Sequence, residues 1–138
     1  MHLSLVEAFG KFGSKPSDRL NALSAMAADG ALVLNCSPQY FGHPAQGVLR
    51  YEDRLSREAV GTKSTELLGQ HLTLARDADL PVRMIVTAPR SEEQRGGSCH
   101  VRTDLIGKVI KFDGDHFIID FTRLKELREA PPARRSSR

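Results

Sequence analysis

The chain has no apolar run approaching the ~20 residues that a membrane-spanning helix needs, so a membrane partner is not expected. Its N-terminus, Met1-His2-Leu3-Ser4-Leu5, places no cationic segment ahead of a long apolar stretch, and a secretory leader is not expected either. Cysteine is scarce: Cys36 and Cys99 are the only two, enough for a single bridge at most. Without a secretory signal, free thiols in a reducing compartment are the expected state, and the cytoplasm is the expected location. Motifs are scarce as well. Gly96-Gly97 is not followed by Lys-Ser/Thr, so it does not form a phosphate-cradling loop. There is no serine nucleophile elbow, no internal repeat, and nothing that implies a cofactor.

The sequence pI of about 9.1 suggests a nucleic-acid partner until the charge is located. From Arg123 onward there are six basic residues (Arg123, Lys125, Arg128, Arg134, Arg135, Arg138) against two acids, Glu126 and Glu129, a net of +4. The whole chain carries +3, so residues 1–122 sum to −1. The basicity belongs to the tail, where it adds salt-sensitive attraction to phosphates or simply solubilises the end of the chain.

The length of 138 residues suits a single domain able to bury a core without staples. Leu5, Phe9 and Phe12, with Val6 beside them, recur at helical spacing until Gly13, which predicts a short first helix. Gly10 inside it costs about 1 kcal/mol relative to alanine, so packing must hold it. Residues 14–17, with Pro16, read as a turn. Residues 18–30 fit two structures. Asp18 suits the cap of a helix through Leu20, Leu23 and Ala27, stopped by Gly30. Alternatively, residues 19–27 form a strand that turns at Asp29-Gly30 into Ala31-Leu32-Val33-Leu34-Asn35-Cys36, since Asp-Gly suits the positive φ angles of a type I′ turn. Local propensity favours the helix.

Residues 38–47 are predicted as a loop punctuated by Gly42, Pro44 and Gly47, with Tyr40 and Phe41 embedded in it. Residues 48–53 are a strand candidate, and 54–63 an exposed connection. Ser64 or Thr65 opens a second helix with Glu66 near its positive end. Leu67, Leu68, His71, Leu72, Ala75 and Ala78 give that helix an apolar face, and Pro81 ends it. Residues 82–88 form the clearest buried strand, and the polar stretch 89–98 a mobile loop. The strongest pattern is last: residues 101–112 and 116–121 flank Asp113-Gly114 as a hairpin. Leu124 and Leu127 allow one helical turn before Ala130-Pro131-Pro132. The expected fold is α+β, a five- or six-stranded, mostly antiparallel sheet with two helices on one face. A parallel crossover is allowed between the strands at 48–53 and 82–88. Residues 1–129 are expected to form the domain and 130–138 a disordered basic tail.

The segment Ser4-Leu5-Val6-Glu7-Ala8-Phe9-Gly10-Lys11-Phe12-Gly13 is followed by Lys15, by Asp29-Gly30 and by an apolar strand closing on Phe41. With the later Val82-Arg83-Met84-Ile85-Val86, it resembles a group of small, uncharacterised bacterial proteins over about half the chain. In those proteins the segment before Asp-Gly is rich in tryptophan and reads as a strand. This chain has no tryptophan and carries Leu20-Asn21-Ala22-Leu23-Ser24-Ala25 there. The resemblance implies the hairpin over the helix. It carries no established activity, so no residue role follows from it.

Four residues are metal ligands by type: Cys36, His43, Cys99 and His100. Structural zinc knuckles set two ligands two to four residues apart so that one turn aims both at the ion. Here six residues separate Cys36 from His43, while Cys99 and His100 are adjacent and would point to opposite faces of a strand. Small buried thiols and surface histidines account for all four. A Cys36 nucleophile paired with His43 or His100 requires a proximity that spacing does not supply. Arg50-Tyr51-Glu52-Asp53-Arg54 spreads charge over both faces of an expected edge strand, and Asp104, Asp113, Asp115 and Asp120 crowd the last hairpin. A metal-dependent nuclease needs two or three converging carboxylates with a lysine. Asp104 with Lys108 and Asp120 with Lys125 match that poorly, and turn chemistry accounts for Asp113 and Asp115. No catalytic or metal-binding residue is assigned.

What remains is basic and aromatic. Tyr40, Phe41, His43, Arg50 and Tyr51 lie in or beside one loop, and Arg90, Arg95, His100 and Arg102 in or beside another. If both loops project from one sheet edge, they form with Arg134 and Arg135 of the tail a rim for phosphates and bases; core closure is the commoner role of an aromatic loop. The function expected first is a non-enzymatic accessory or regulatory protein that binds nucleic acid weakly through these loops and the tail. Two others stand beside it. One is a protein-interaction module of inhibitor or immunity type, using a sheet edge or the helix at 64–79. The other is a metal-dependent hydrolase or nuclease.

Overall fold

Asp-Gly turns hold two of the hairpins from which the sheet is built. In a computed structural model describing residues 3–16, 22–57, 62–88 and 98–124, Gly30 has φ +93° and Gly114 φ +105°, a region costly for any residue with a Cβ. The carboxylates before them lock each turn: Asp29 accepts from the Ala31 N–H at 3.0 Å, and Asp113 from those of Asp115 and His116 at 3.0 and 2.8 Å. Around these turns lie β1 (Ser24–Met26) with β2 (Leu32–Cys36), and β6 (Ser98–Phe112) with β7 (His116–Arg123). A third hairpin joins β3 (Phe41–Ala45) to β4 (Val48–Arg54), and β5 (Val82–Ala88) completes the set.

The strands form one seven-stranded sheet in the order β1-β2-β5-β6-β7-β4-β3. The sheet is mixed: β2 and β5 are parallel, and every other junction is antiparallel. The strand reading of the segment before Asp29-Gly30 holds for β1, while residues 17–21 lie outside the described residues. The sheet exceeds the expected five or six strands chiefly because residues 41–45, read as a loop, pair with β4 as an edge strand. An edge tolerates Pro44, which need not donate to a ladder on its open side. β4 is consequently interior, not the expected edge. The parallel partner of β5 is β2 rather than β4.

Helix α1 (Leu5–Gly10) opens on a reciprocal cap, with Ser4 Oγ accepting from the Glu7 N–H and the Glu7 carboxylate from the Ser4 N–H. Helix α2 (Lys63–Ala78) is capped by Thr62, slightly earlier than Ser64 or Thr65 suggested, and ends at Asp79 in the left-handed region. Its buried residues Thr65, Leu68, Leu72 and Ala75 form one stripe at helical spacing. The helices lie on opposite faces of the sheet, against the expectation of one shared face. Leu68, Leu72 and Ala75 pack with Leu32, Leu34 and Cys36; Ala8 and Phe9 pack with Val33, which points the other way along the same strand. The run Leu32-Val33-Leu34 is apolar without a break because β2 is covered on both sides, as parallel-paired strands are.

The α2 face is strongly curled. In a flat sheet β2 and β4 would stand about 19 Å apart, at ~4.8 Å per strand. Yet the N–H of Ser37, just past β2, donates to the Tyr51 hydroxyl of β4 at 3.0 Å. The chain crosses this hollow through the short 3-10 turn Pro38–Tyr40 on its way from β2 to β3. No helix among the described residues is long and apolar enough to cross a membrane.

Candidate functional site

Along β4, β6 and β7 the hollow has two ends, and they are built differently. One end holds Asp53, Phe112 and Phe117; the other holds Leu49, Leu105 and Phe121, several residues further along each strand. At the first end Asp53 is a buried carboxylate, 8% exposed. Its oxygens accept from the Arg57 guanidinium (2.7 Å from Nε), the Tyr51 hydroxyl (3.0 Å) and the Arg54 N–H (2.7 Å). The Arg57 guanidinium also stacks 4.3 Å above the Tyr40 ring. Burial pushes the Tyr51 hydroxyl well above its usual range, and the nearby Cys36 thiol and Asp53 carboxyl push it the same way. Burial, with the Asp53 charge behind it, likewise pushes the Cys36 thiol up. A thiol held protonated is a poor nucleophile. At this end the polar groups satisfy one another, and a polar hollow of about 420 Å³ lined by Tyr40, Asp53, Arg57 and His116 lies beside them.

The second end is open. A cavity of about 480 Å³ lies there, within the size range of small-ligand sites. Its floor is the buried Met84, Leu105 and Phe121, and its walls are the half-buried Phe41, Val48, Leu49 and Val86. Gly107 makes room for the Phe121 ring: a Cβ there would lie 2.6 Å from it. Basic residues stand at the mouth, with His43 and Arg123 exposed and Arg102 half-buried. One acid accompanies them. Asp104 accepts two hydrogen bonds from Arg102 at 3.0 Å, and Arg123 stands 4.0 Å away. The Arg102 bonds hold the Asp104 carboxyl below the usual carboxylate range and raise the guanidinium in return. Two guanidiniums against one carboxylate leave the mouth positive.

The structure thus brings together Phe41, His43 and Arg102 of the sequence-derived candidates. Tyr40 goes instead to the Asp53 end, under Arg57. Arg50 points to the opposite face of β4 and makes a two-pronged pair with Asp120 at 2.7 and 2.9 Å. Arg90, Arg95, Arg134 and Arg135 lie outside the described residues. The last described residue, Leu124, follows Arg123 of the mouth.

The ligand-type residues do not converge. Cys36 is buried on the α2 face and Cys99 on the α1 face, while Glu52 faces His116 at 2.6 Å. Asp113 caps its turn, Asp115 holds Arg54 and Ser56, and Asp120 holds Arg50. Among the described residues no three His, Cys, Asp or Glu side chains group as metal ligands.

Sequence reasoning missed Arg123 as a site residue, counting it only as tail charge, and missed the cavity lining of Val48, Leu49, Leu105 and Phe121. The alternation of Leu49, Tyr51 and Asp53 along β4 marks a buried face, but it does not say which end of that face stays open. It also missed a buried contact between Ser24 Oγ and His71 Nδ1, 2.8 Å apart. Burial lowers His71 below the usual histidine range. Ser24 sits beneath α2, away from the cavity, so the pair tethers helix to sheet. No protein-family model, curated protein or solved structure matches this chain.

Proposed function

We propose that the protein is a non-enzymatic accessory factor that binds nucleic acid weakly, with the open end of the sheet as its contact surface. One observation carries this: an apolar cavity with an aromatic wall has His43, Arg102 and Arg123 at its mouth. Guanidiniums around such a mouth suit phosphates, and apolar or aromatic walls suit bases. Nothing in the neutral body opposes the attraction, because residues 1–122 sum to only −1. Among the described residues Asp53, Asp104, Asp113, Asp115 and Asp120 are occupied by turns and ion pairs, and Cys36 is buried with its thiol pushed up, so the geometry lends no support to a hydrolase or nuclease.

The test is a salt titration of DNA and RNA binding by the full chain and by a chain lacking residues 130–138. Affinity falls linearly on logarithmic axes with salt. The truncated chain shows a shallower slope, by about 0.7–0.9 for each phosphate that the tail no longer neutralises. No binding to either polymer at low salt overturns the proposal. A protein-interaction module is the second reading, favoured by Ile110, which is 55% exposed. A stoichiometric protein partner that binds through Ile110 while nucleic acid does not bind would put that reading first.

A further inference from the structure

We propose that the cavity at the open end takes one unpaired nucleobase, so that the protein selects single strands and frayed ends over duplex. This rests on the nucleic-acid proposal above and names the substrate class of the same site. Size comes first. About 480 Å³ is ample for one base and its sugar but far too small for a base pair with its backbones. The lining comes second. Phe41 offers ring surface, and Val48, Leu49 and Val86 complete an apolar sleeve above the buried Leu105 and Phe121; base–aromatic contact tolerates any sequence because every base has a π-face.

Charge complementarity is the third ground. The cations are at the mouth and not on the floor, which matches a molecule whose apolar part enters while its anionic part stays outside. A nucleotide within a strand has that polarity, with Arg102 and Arg123 placed for the flanking phosphates. The Arg102 guanidinium spends Nε and one terminal nitrogen on Asp104, which fixes its plane and leaves the other terminal nitrogen for a phosphate oxygen. A duplex can meet the same cations, but its bases remain stacked, and extruding one works against stacking and pairing. Duplex binding therefore uses the rim and the tail alone.

The experiment compares three ligands by fluorescence anisotropy at low salt: a short oligothymidylate, an abasic strand of equal length, and a blunt duplex. The full chain is used, with Val48→Trp as the variant. Val48 is a half-buried wall residue, and an indole there fills the cavity from its side; Val86→Phe fills it from the opposite strand should the first variant not fold. The oligothymidylate is expected to bind about 5- to 160-fold more tightly than the abasic strand, the range given by base stacking on aromatic side chains. Val48→Trp lowers oligothymidylate binding to the abasic level and leaves the abasic strand unchanged. Equal binding of the abasic strand, or no effect of either variant, overturns the base pocket while the nucleic-acid proposal stands. Failure of all three ligands to bind overturns both. Displacement of the oligothymidylate by a simple alkyl carboxylate, with no weakening on removing the bases, overturns the base pocket and assigns the cavity to a small amphipathic anion.

Discussion

The two ends of the α2 face share the same strands and one continuous hydrophobic cluster, yet they finish in opposite ways. At the Asp53 end a buried charge is fully paired, Arg57 covers Tyr40, and the hollow beside them is lined by polar groups already bonded to one another. At the Leu105 end the apolar floor ends in a cavity, and the charges stand around its mouth, half-exposed and outnumbering their one acid. A paired buried charge contributes to a defined structure; an excess of cations beside an apolar hollow is unused binding capacity. The difference separates the part of the polar surface that holds the fold from the part open to a ligand.

Removing the carboxylate at each end breaks this comparison most sharply. Asp53→Ala leaves the buried Tyr51 hydroxyl without the carboxylate it donates to, and it should cost about 1–3 kcal/mol. Asp104→Ala removes an exposed ion pair and should cost at most ~1 kcal/mol, while making the cavity mouth more positive. Urea midpoints with unchanged slopes measure both. Equal destabilisation by the two variants would mean that the ends are not distinct.

Gly107→Ala sharpens the comparison at the open end alone. The new methyl meets the Phe121 ring at 2.6 Å and the Asp120 carbonyl at 3.0 Å, an overpacking worth about 1–3 kcal/mol. Phe121 must move, so the cavity floor changes shape and nucleic-acid affinity falls with stability. An alanine variant of full affinity and full stability would show that the floor is not rigid.

A smaller effect belongs to His71, which ties α2 over the sheet through Ser24. Burial holds its folded-state pKa below the ordinary 6.5, so below that pH the unfolded chain takes up a proton that the folded chain resists. Its contribution to stability is complete above about pH 6.5 and is lost as the pH falls from there through the folded value. Asp104, Asp113 and Asp115, with folded values held low by their hydrogen bonds, act in a separate, more acidic window below about 3.8. Their stabilisation is present above the ordinary carboxylate range and lost on further acidification. His71→Gln should flatten the first window and leave the second. Two-dimensional NMR titration of the histidines checks the shift directly.

Elements held by local chemistry were legible in the sequence. Both Asp-Gly turns declare themselves through the glycine, since each turn requires the positive φ of Gly30 or Gly114; Asp29 and Asp113 stay at negative φ, so neither turn is the expected type I′. Helix α2 follows from its apolar stripe, and β5 from its apolar run. Long-range consequences were not legible. Phe41–Ala45 lacks strand periodicity because it pairs on one side only and its register breaks between Gly42 and Ala45. The placement of the helices on opposite faces had a signal that was present but unused: Leu32, Val33 and Leu34 are all buried, which demands cover on both sides of β2. Of the candidate site, Phe41, His43 and Arg102 were identifiable as aromatic and basic residues near loops. That Tyr40 and Arg50 would turn elsewhere depends on Arg57 and Asp120, partners 17 and 70 residues away in the sequence.

The central claim is that ligand contact is confined to the open end of the α2 face. The most direct test is a titration of the isotopically labelled full chain with a short single-stranded oligonucleotide at low salt, followed through backbone amide NMR shifts. The expected perturbations cluster at Phe41, His43, Val48, Arg102, Leu105 and Arg123, with Asp53, Arg57 and the opposite face around Arg50 and Lys108 unmoved. Shifts centred on Arg50 and Lys108, or none at all, would contradict it.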